Sequence, residues 1–272
     1  MFALIKLLGK GYPSGEILFS RSFFALIPLL PVVMRNGGWT VFQTKKPWQH
    51  ATRSTLGLLS AALCIEAVKL LPLAEATSLF YAAPLITTVL ALALLKEKIS
   101  KAKTGAILAG FLGVLYMLQP RLSSDVLGAG LALASAVSSA CVYIELRRMS
   151  ATEKSVTIVL YFMLTCSLAG LLTMPFSFVV PTLRDALLLL SIGVIGGVGQ
   201  ILMTEAYRLA PATTVAPLSY LSLIWAVLLD FLLWGHCPNI ESLAGAIIIA
   251  ISGILVIAPE RPKVPAQVIA KP

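Results

Sequence analysis

Long apolar runs alternate along this chain with short polar connections. The runs are Ser14–Met34, Ala51–Leu71, Ala74–Leu95, Thr104–Leu118, Leu127–Leu146, Ser155–Val179, Ala186–Ala206, Thr213–Trp234 and Leu243–Ile257. They approach the roughly 20 residues that a helix needs to cross about 30 Å of hydrocarbon. The pattern predicts nine full spans. A short apolar piece, Met1–Gly9, precedes them, and a polar, proline-containing tail, Glu260–Pro272, follows. The Leu71-Pro72-Leu73 joint predicts a tight turn between two spans.

The pattern repeats. The string Glu66-Ala67-Val68-Lys69-Leu70-Leu71-Pro72 returns 139 residues on as Glu205-Ala206-Tyr207-Arg208-Leu209-Ala210-Pro211. The same offset pairs Leu79 with Leu218, Tyr81 with Tyr220 and Pro120 with Pro259. A one-residue slip then aligns Gly105 with Gly245 and Gly113 with Gly253. A fixed offset sustained this way marks an internal repeat, with halves at 1–124 and 125–259 and a tail at 260–272. Subtracting 139 from Leu127 gives a start upstream of Met1. The opening helix is therefore expected to lack its beginning, either because Met1 is a late start or because the helix is short; a late start is the expectation. An odd number of spans per half makes the second half enter from the opposite side, the inverted geometry that builds a midplane site for alternating access.

Composition agrees with lipid as the solvent. The chain of 272 residues is 58% hydrophobic and 12% charged, against about 25% charged in an ordinary soluble domain. Its net charge of +9 lies in the connections, which points to a membrane rather than to nucleic acid. One alternate set of connections holds Arg35, Lys45, Lys46, Arg53, Lys96, Lys98, Lys101, Lys103, Arg147, Arg148, Lys154, Arg208, Arg261, Lys263 and Lys271. The opposite set holds Lys10, Lys69, Arg121 and Arg184. The richer set is read as cytoplasmic, with both termini on that side. The four cysteines form no CxxC pair, and His50 and His236 sit at polar edges. That pattern indicates no disulfide framework, metal site, catalytic residue or cofactor.

Several segments in this order resemble the EamA-type branch of the drug/metabolite transporter superfamily. They are Gly15-Glu16-Ile17-Leu18-Phe19-Ser20-Arg21, Leu71-Pro72-Leu73-Ala74-Glu75-Ala76-Thr77, Ala83-Pro84-Leu85, Leu94-Leu95-Lys96-Glu97-Lys98 and Gly110-Phe111-Leu112-Gly113-Val114. The resemblance covers nearly the whole chain. It implies an all-α polytopic membrane protein of ten helices, five plus five in inverted repeats, here with a truncated first helix. It also implies a multi-pass protein of the bacterial inner membrane that moves a small organic metabolite without ATP, with the bilayer and the substrate as partners and a homodimer allowed. Gly11-Tyr12-Pro13-Ser14-Gly15-Glu16 through Leu29-Leu30-Pro31 is most similar to the riboflavin and S-adenosylmethionine uptake branch. Gly235-His236 departs from the Gly-Glu that the family pattern often places there.

Candidate site residues follow from position. Arg21 stands about 10 Å into its span at 1.5 Å per residue. An intramembrane arginine faces a cavity or a partner, so Arg21 is read as a substrate contact or as half of a gate pair with Glu16 or Glu75; the alternative is a packing arginine bonded to carbonyls. Thr77, Tyr81, Pro84 and Thr88 share one helix face, and Pro84 breaks the span near its middle. Ser219, Tyr220, Ser222 and Trp225 follow Pro217 in the other half. These residues are read as walls of a pocket, against ordinary aromatic packing. Glu66 with Lys69 and Glu205 with Arg208 are read first as anchoring pairs at span ends and second as coupling groups; Asp230 is a further coupling candidate. Tyr143 and Tyr161 are left open. Gly193, Gly196, Gly197 and Gly199 lack the Lys-Ser/Thr of a phosphate loop and read as helix-packing positions.

The reading that results is a secondary transporter working by alternating access, importing or exporting a metabolite. A polytopic membrane enzyme acting on lipid-linked substrates is the rival from another class. It requires a cluster of catalytic acids or histidines, and the acids here are scattered.

Overall fold

The computed structural model describes residues 4, 8, 11–71, 73–119, 125–235, 237 and 239–258. The Met1–Gly9 piece apart from Leu4 and Leu8, the Pro72 turn, Pro120, His236 and the tail lie outside the described residues, as do the side chains of Lys69, Glu75 and Asp230. The described chain is all-helical: α1 (Ser14–Phe24), α2 (Leu26–Arg35), α3 (Pro47–Leu70), α4 (Leu73–Phe80), α5 (Ala83–Leu94), α6 (Lys101–Leu118), α7 (Val126–Met149), α8 (Ser155–Thr173), α9 (Leu183–Leu209), α10 (Ala212–Val215), α11 (Leu221–Trp234) and α12 (Ile240–Ile257). Short 3₁₀ turns occupy Gly38–Phe42 and Ala216–Tyr220. Among the described residues eight stretches are long and apolar enough to cross a membrane. The predicted Ala51–Leu71 span falls in α3, whose 24 residues extend about 36 Å.

Prolines decide where spans break. A proline ring clashes with the carbonyl four residues back. Four before Pro28 is Phe24, where α1 ends; four before Pro84 is Phe80, where α4 ends. Tyr81 and Ala82 form the joint, and Pro84 opens α5. In the other half Pro217 lies in the 3₁₀ turn between α10 and α11. Each break is covered by neighbouring helices, as a bilayer requires of irregular backbone.

Helices of one half pack on helices of the other: α6 on α12, α3 on α7, α1 on α8 and α9. Small residues bring the backbones close. A Cβ on Gly170 would stand 2.6 Å from the Phe19 nitrogen, one on Gly197 2.7 Å from the Ala25 carbonyl oxygen at the α1–α2 kink, and one on Gly245 2.8 Å from the Gly113 oxygen. Gly105 and Gly199 differ from the expected packing positions, since nothing lies within 4 Å of a Cβ there. Leu4 and Leu8 pack with Leu189 and Ile192 of α9.

Polar ties sort the connections into two ends. At one end Lys154 Nζ donates to the Asn36 carbonyl (3.1 Å), Thr44 Oγ1 to Glu153 Oε1 (2.9 Å) and Tyr161 OH to the Phe42 carbonyl (2.8 Å). Arg147 Nη1 donates to the carbonyls of Tyr207 and Arg208 at 3.0 and 3.1 Å. Glu97 joins the halves at this end. Its carboxylate accepts from the Ala212 and Thr213 amides (2.9 and 3.0 Å) and from Thr213 Oγ1 (2.8 Å), with Arg147 Nε 3.6 Å away. It therefore caps the helix start after Pro211, where free amides favour an anion. The repeat offset carries Glu97 to His236. At the other end Tyr12 OH donates to Asp185 Oδ2 (2.8 Å), and the Val179 amide to Glu16 Oε2 (3.1 Å).

Two outcomes test this packing. Gly170→Leu should destabilise the protein by about 1–3 kcal/mol, read as a lower unfolding midpoint in detergent, while Gly105→Leu leaves the midpoint in place. Equal effects of the two would contradict the contact map. Glu97→Ala should cost about 1–2 kcal/mol as a lost cap, with partial recovery in Glu97→Gln, by the same measurement.

Candidate functional site

Arg53 is the seventh residue of α3 and is 1% exposed. It belongs to the interior of the bundle rather than to the connection where its charge was counted. Its Cζ stands 3.7 Å from the centroid of the Phe162 ring on α8, and Nη2 donates to Gln200 Oε1 on α9 at 3.3 Å. Gly57, one turn along α3, makes room: a Cβ there would meet the Phe162 ring at 2.6 Å. The remaining guanidinium nitrogens, Nε and Nη1, have no hydrogen-bond partner among the described residues.

Arg21, half-buried on α1, lies close enough for its charge to act on Arg53. Its own charge neighbours are the thiols of Cys166 and Cys64. Cys166 also borders Arg53, and Tyr143 of α7 is the next neighbour of that guanidinium. Among the described residues no carboxylate is a charge neighbour of either arginine. Two cations thus share an apolar interior with soft, neutral walls. Burying a charge without a counter-charge costs several kcal/mol, and cation–π contact with Phe162 returns about 2 kcal/mol or less. Among the described residues nothing of opposite charge offsets that cost.

Tyr143 connects this pair to the tyrosines predicted from the repeat. Its ring stacks on Tyr207 with centroids 5.2 Å apart, and its charge neighbours are Arg53 and Tyr81. Tyr81 and Tyr220, the repeat-mates, meet with ring centroids 5.9 Å apart. Tyr81 OH and Ser222 Oγ are hydrogen-bonded at 2.7 Å. Tyr220 is 1% exposed, leans on Gly110 of α6, and has no partner for its hydroxyl among the described residues.

The other predicted residues fall as follows. Pro84 is buried, and Thr88 Oγ1 donates back to its carbonyl at 2.9 Å. Thr77 is half-buried one turn before Tyr81, whose amide donates to its carbonyl (3.0 Å). Ser219 Oγ donates to the Ala216 carbonyl and Ser222 Oγ to the Ser219 carbonyl, at 2.8 and 2.6 Å. Trp225 is 63% exposed and joins none of these groups. Glu16 is buried but turned to the Val179 amide rather than to Arg21. Glu205 holds Arg208 at 2.7 Å, and Glu145 holds Arg148 at 3.1 Å. Glu66 is exposed. The expected gate partner Glu75 and the coupling candidate Asp230 have side chains outside the described residues. Two grooves of about 560 and 190 Å³ are lined by apolar side chains alone, among them Leu171, Phe178, Leu29 and Phe42. Their lining suits acyl chains better than a polar metabolite.

Arg53, Phe162 and Gln200 are the site residues that sequence reasoning missed. For Arg53 a signal existed: it stands inside the apolar run Ala51–Leu71, not before it. For Phe162 and Gln200 there was none, since one aromatic and one amide in long apolar spans carry no pattern.

With this geometry in place, comparison with known proteins is informative. The profile of the EamA-like transporter family matches residues 1–119 and 126–258. The pseudopaline exporter CntI of Pseudomonas aeruginosa strain UCBPP-PA14 is 31% identical over 256 residues, covering 93% of this chain and 89% of that protein. An S-adenosylmethionine uptake transporter of Rickettsia bellii is 26% identical, covering 94% and 88%, and a riboflavin transporter of Rhizobium johnstonii is 29% identical, covering 92% and 82%. A crystal structure with 19% sequence identity superposes with a TM-score of 0.82 over 94% of this chain and 91% of its own, which shows the fold. The chain belongs to the EamA-like transporter family and is a polytopic membrane transport protein.

Proposed function

We propose that this member of the EamA-like transporter family is an inner-membrane secondary transporter that carries a small organic anion by alternating access. The observation that carries the reading is the pair of interior guanidiniums, half-buried Arg21 and buried Arg53, with no carboxylate against either among the described residues. A carboxylate or phosphate on the substrate supplies the missing charge. The guanidinium fork suits both, because it bonds them through two parallel N–H donors. Tyr81, Tyr143 and Tyr220 offer flat apolar walls beside the cations, which suits a metabolite with a planar or apolar body. Thr77, one turn before Tyr81, and Ser219 and Ser222, either side of Tyr220, add hydroxyls near that wall in sequence. Relatives named for pseudopaline, S-adenosylmethionine and riboflavin support a small organic metabolite as the cargo class.

In this reading the halves 1–124 and 125–259 rock about the site. The breaks at Pro28, Pro84 and Pro217 serve as hinges, and the close glycine contacts as sliding surfaces. The end of the bundle that holds Glu97, Arg147, Glu153 and Lys154 faces the cytoplasm, because the connections there carry most of the lysine and arginine. Both termini then lie on that side.

Flux into proteoliposomes of S-adenosylmethionine, riboflavin and labelled mono- and dicarboxylates tests the proposal. Compounds bearing a carboxylate or phosphate should move and neutral analogues should not. Arg21→Gln and Arg53→Gln should each lower uptake about tenfold or more, the value of one charge-assisted hydrogen bond, while Trp225→Ala stays within about twofold of the unaltered protein. Preferred uptake of riboflavin or of a cation that lacks a carboxylate, or full activity in both arginine variants, would falsify it.

A further inference from the structure

The first turns of α3 hold a polar strip that the anion site does not explain. Gln49, His50, Arg53 and Ser54 recur at helical spacing on one face, and that face is turned inward. His50 is 2% exposed, Arg53 1% and Ser54 2%. Among the described residues Gln49 Oε1, both imidazole nitrogens of His50, Arg53 Nε and Nη1, and Ser54 Oγ all lack hydrogen-bond partners. Buried polar atoms are satisfied in more than about nine cases in ten. Four residues of one strip carry such exceptions, so their donors and acceptors are available to water or to a bound ligand.

His50 stands between the arginine and the end of the bundle. Its Nε2 is 3.7 Å from Glu153 Oε2, and its ring lies 4.5 Å from the Tyr161 ring centroid. Glu153, itself nearly buried, also accepts from Thr44. The charged and titratable groups that face His50 are Arg53 on its own helix, Glu153 on the α7–α8 connection and Tyr161 on α8. Lys46, just before α3, points its Nζ to Thr152 instead.

We infer that His50 is the proton-binding partner of the anion site: a proton taken from water beside Glu153 is held on the imidazole while an anion sits on Arg53, and the two leave together. This rests on the anion reading of the arginine pair. The charge balance is simple. An anion on Arg53 cancels the cation that opposes imidazolium, and release of both returns His50 to its neutral form. His50 lies in the first turn of α3, ahead of the apolar stretch from Ala51. Burial holds its pKa below the ordinary 6.5, Glu153 raises it, and Arg53 lowers it.

The chain has two histidines, so His236→Gln in the full-length protein leaves His50 as the sole imidazole. Its titration can be followed by NMR in lipid nanodiscs, with inorganic phosphate and citrate as probe anions and calorimetry to record whether each binds. Four results are expected. The empty protein titrates below 6.5, Arg53→Gln raises the midpoint by about half a unit or more, Glu153→Gln lowers it, and Arg53→Lys leaves it in place. A bound probe anion should raise it in the Arg53 protein and not in Arg53→Gln. If neither charge variant moves the titration, or if a probe binds at Arg53 without moving it, the inference is overturned. If the charge variants move it and neither probe binds, the anion reading fails and the proton site stands.

Discussion

Hydrocarbon offers a backbone amide nothing to bond to, and that constraint shapes this protein more than any single contact. Every span must be a helix, and every interruption must be covered by protein. The interruptions fall four residues before Pro28 and Pro84 and around Pro217. Covering them draws helices from opposite halves together, which is why glycine is used where backbones meet. Gly197 faces the Ala25 carbonyl at the first kink, and Gly110 receives Tyr220 beside the last. The same need explains Glu97, whose carboxylate takes up the free amides of the short helix after Pro211.

The repeat supplies the scaffold, and departures from it supply the chemistry. The offset of 139 carries Arg21 to Leu160 and Arg53 to Ile192, both buried and apolar. Both interior cations thus come from the first half, while Tyr143, Phe162 and Gln200 come from the second. A symmetric bundle with an asymmetric charge can hold one anion between unlike walls. The paired tyrosines show the opposite case: Tyr81 and Tyr220 match by sequence and meet in space, as residues near an axis relating the halves must.

Much of this was legible from the chain alone. Span positions followed from hydropathy, the breaks at Pro84 and Pro217 from the proline ring, and the Tyr81–Tyr220 kinship from a fixed offset. The Glu205–Arg208 pair followed from helical spacing. Arg53 was misplaced because counting charges by connection treats a cation near a span end as a loop residue. Glu16 was paired with Arg21 because both lie toward the same end of the bundle, whereas its carboxylate accepts from the Val179 amide. Gly199 was read as a helix-packing position, yet it faces open space.

Hydropathy and proline geometry act along the chain, within a turn or a span, so the sequence by itself determined the solvent, the helices, their breaks and the repeated halves. Which polar groups meet depends on rotation and depth of helices far apart in sequence. Arg53 and Gln200 are 147 residues apart, and no local rule joins them. The tertiary structure alone decided that two arginines share an interior with no acid beside them among the described residues, and that His50 stands between one of them and Glu153.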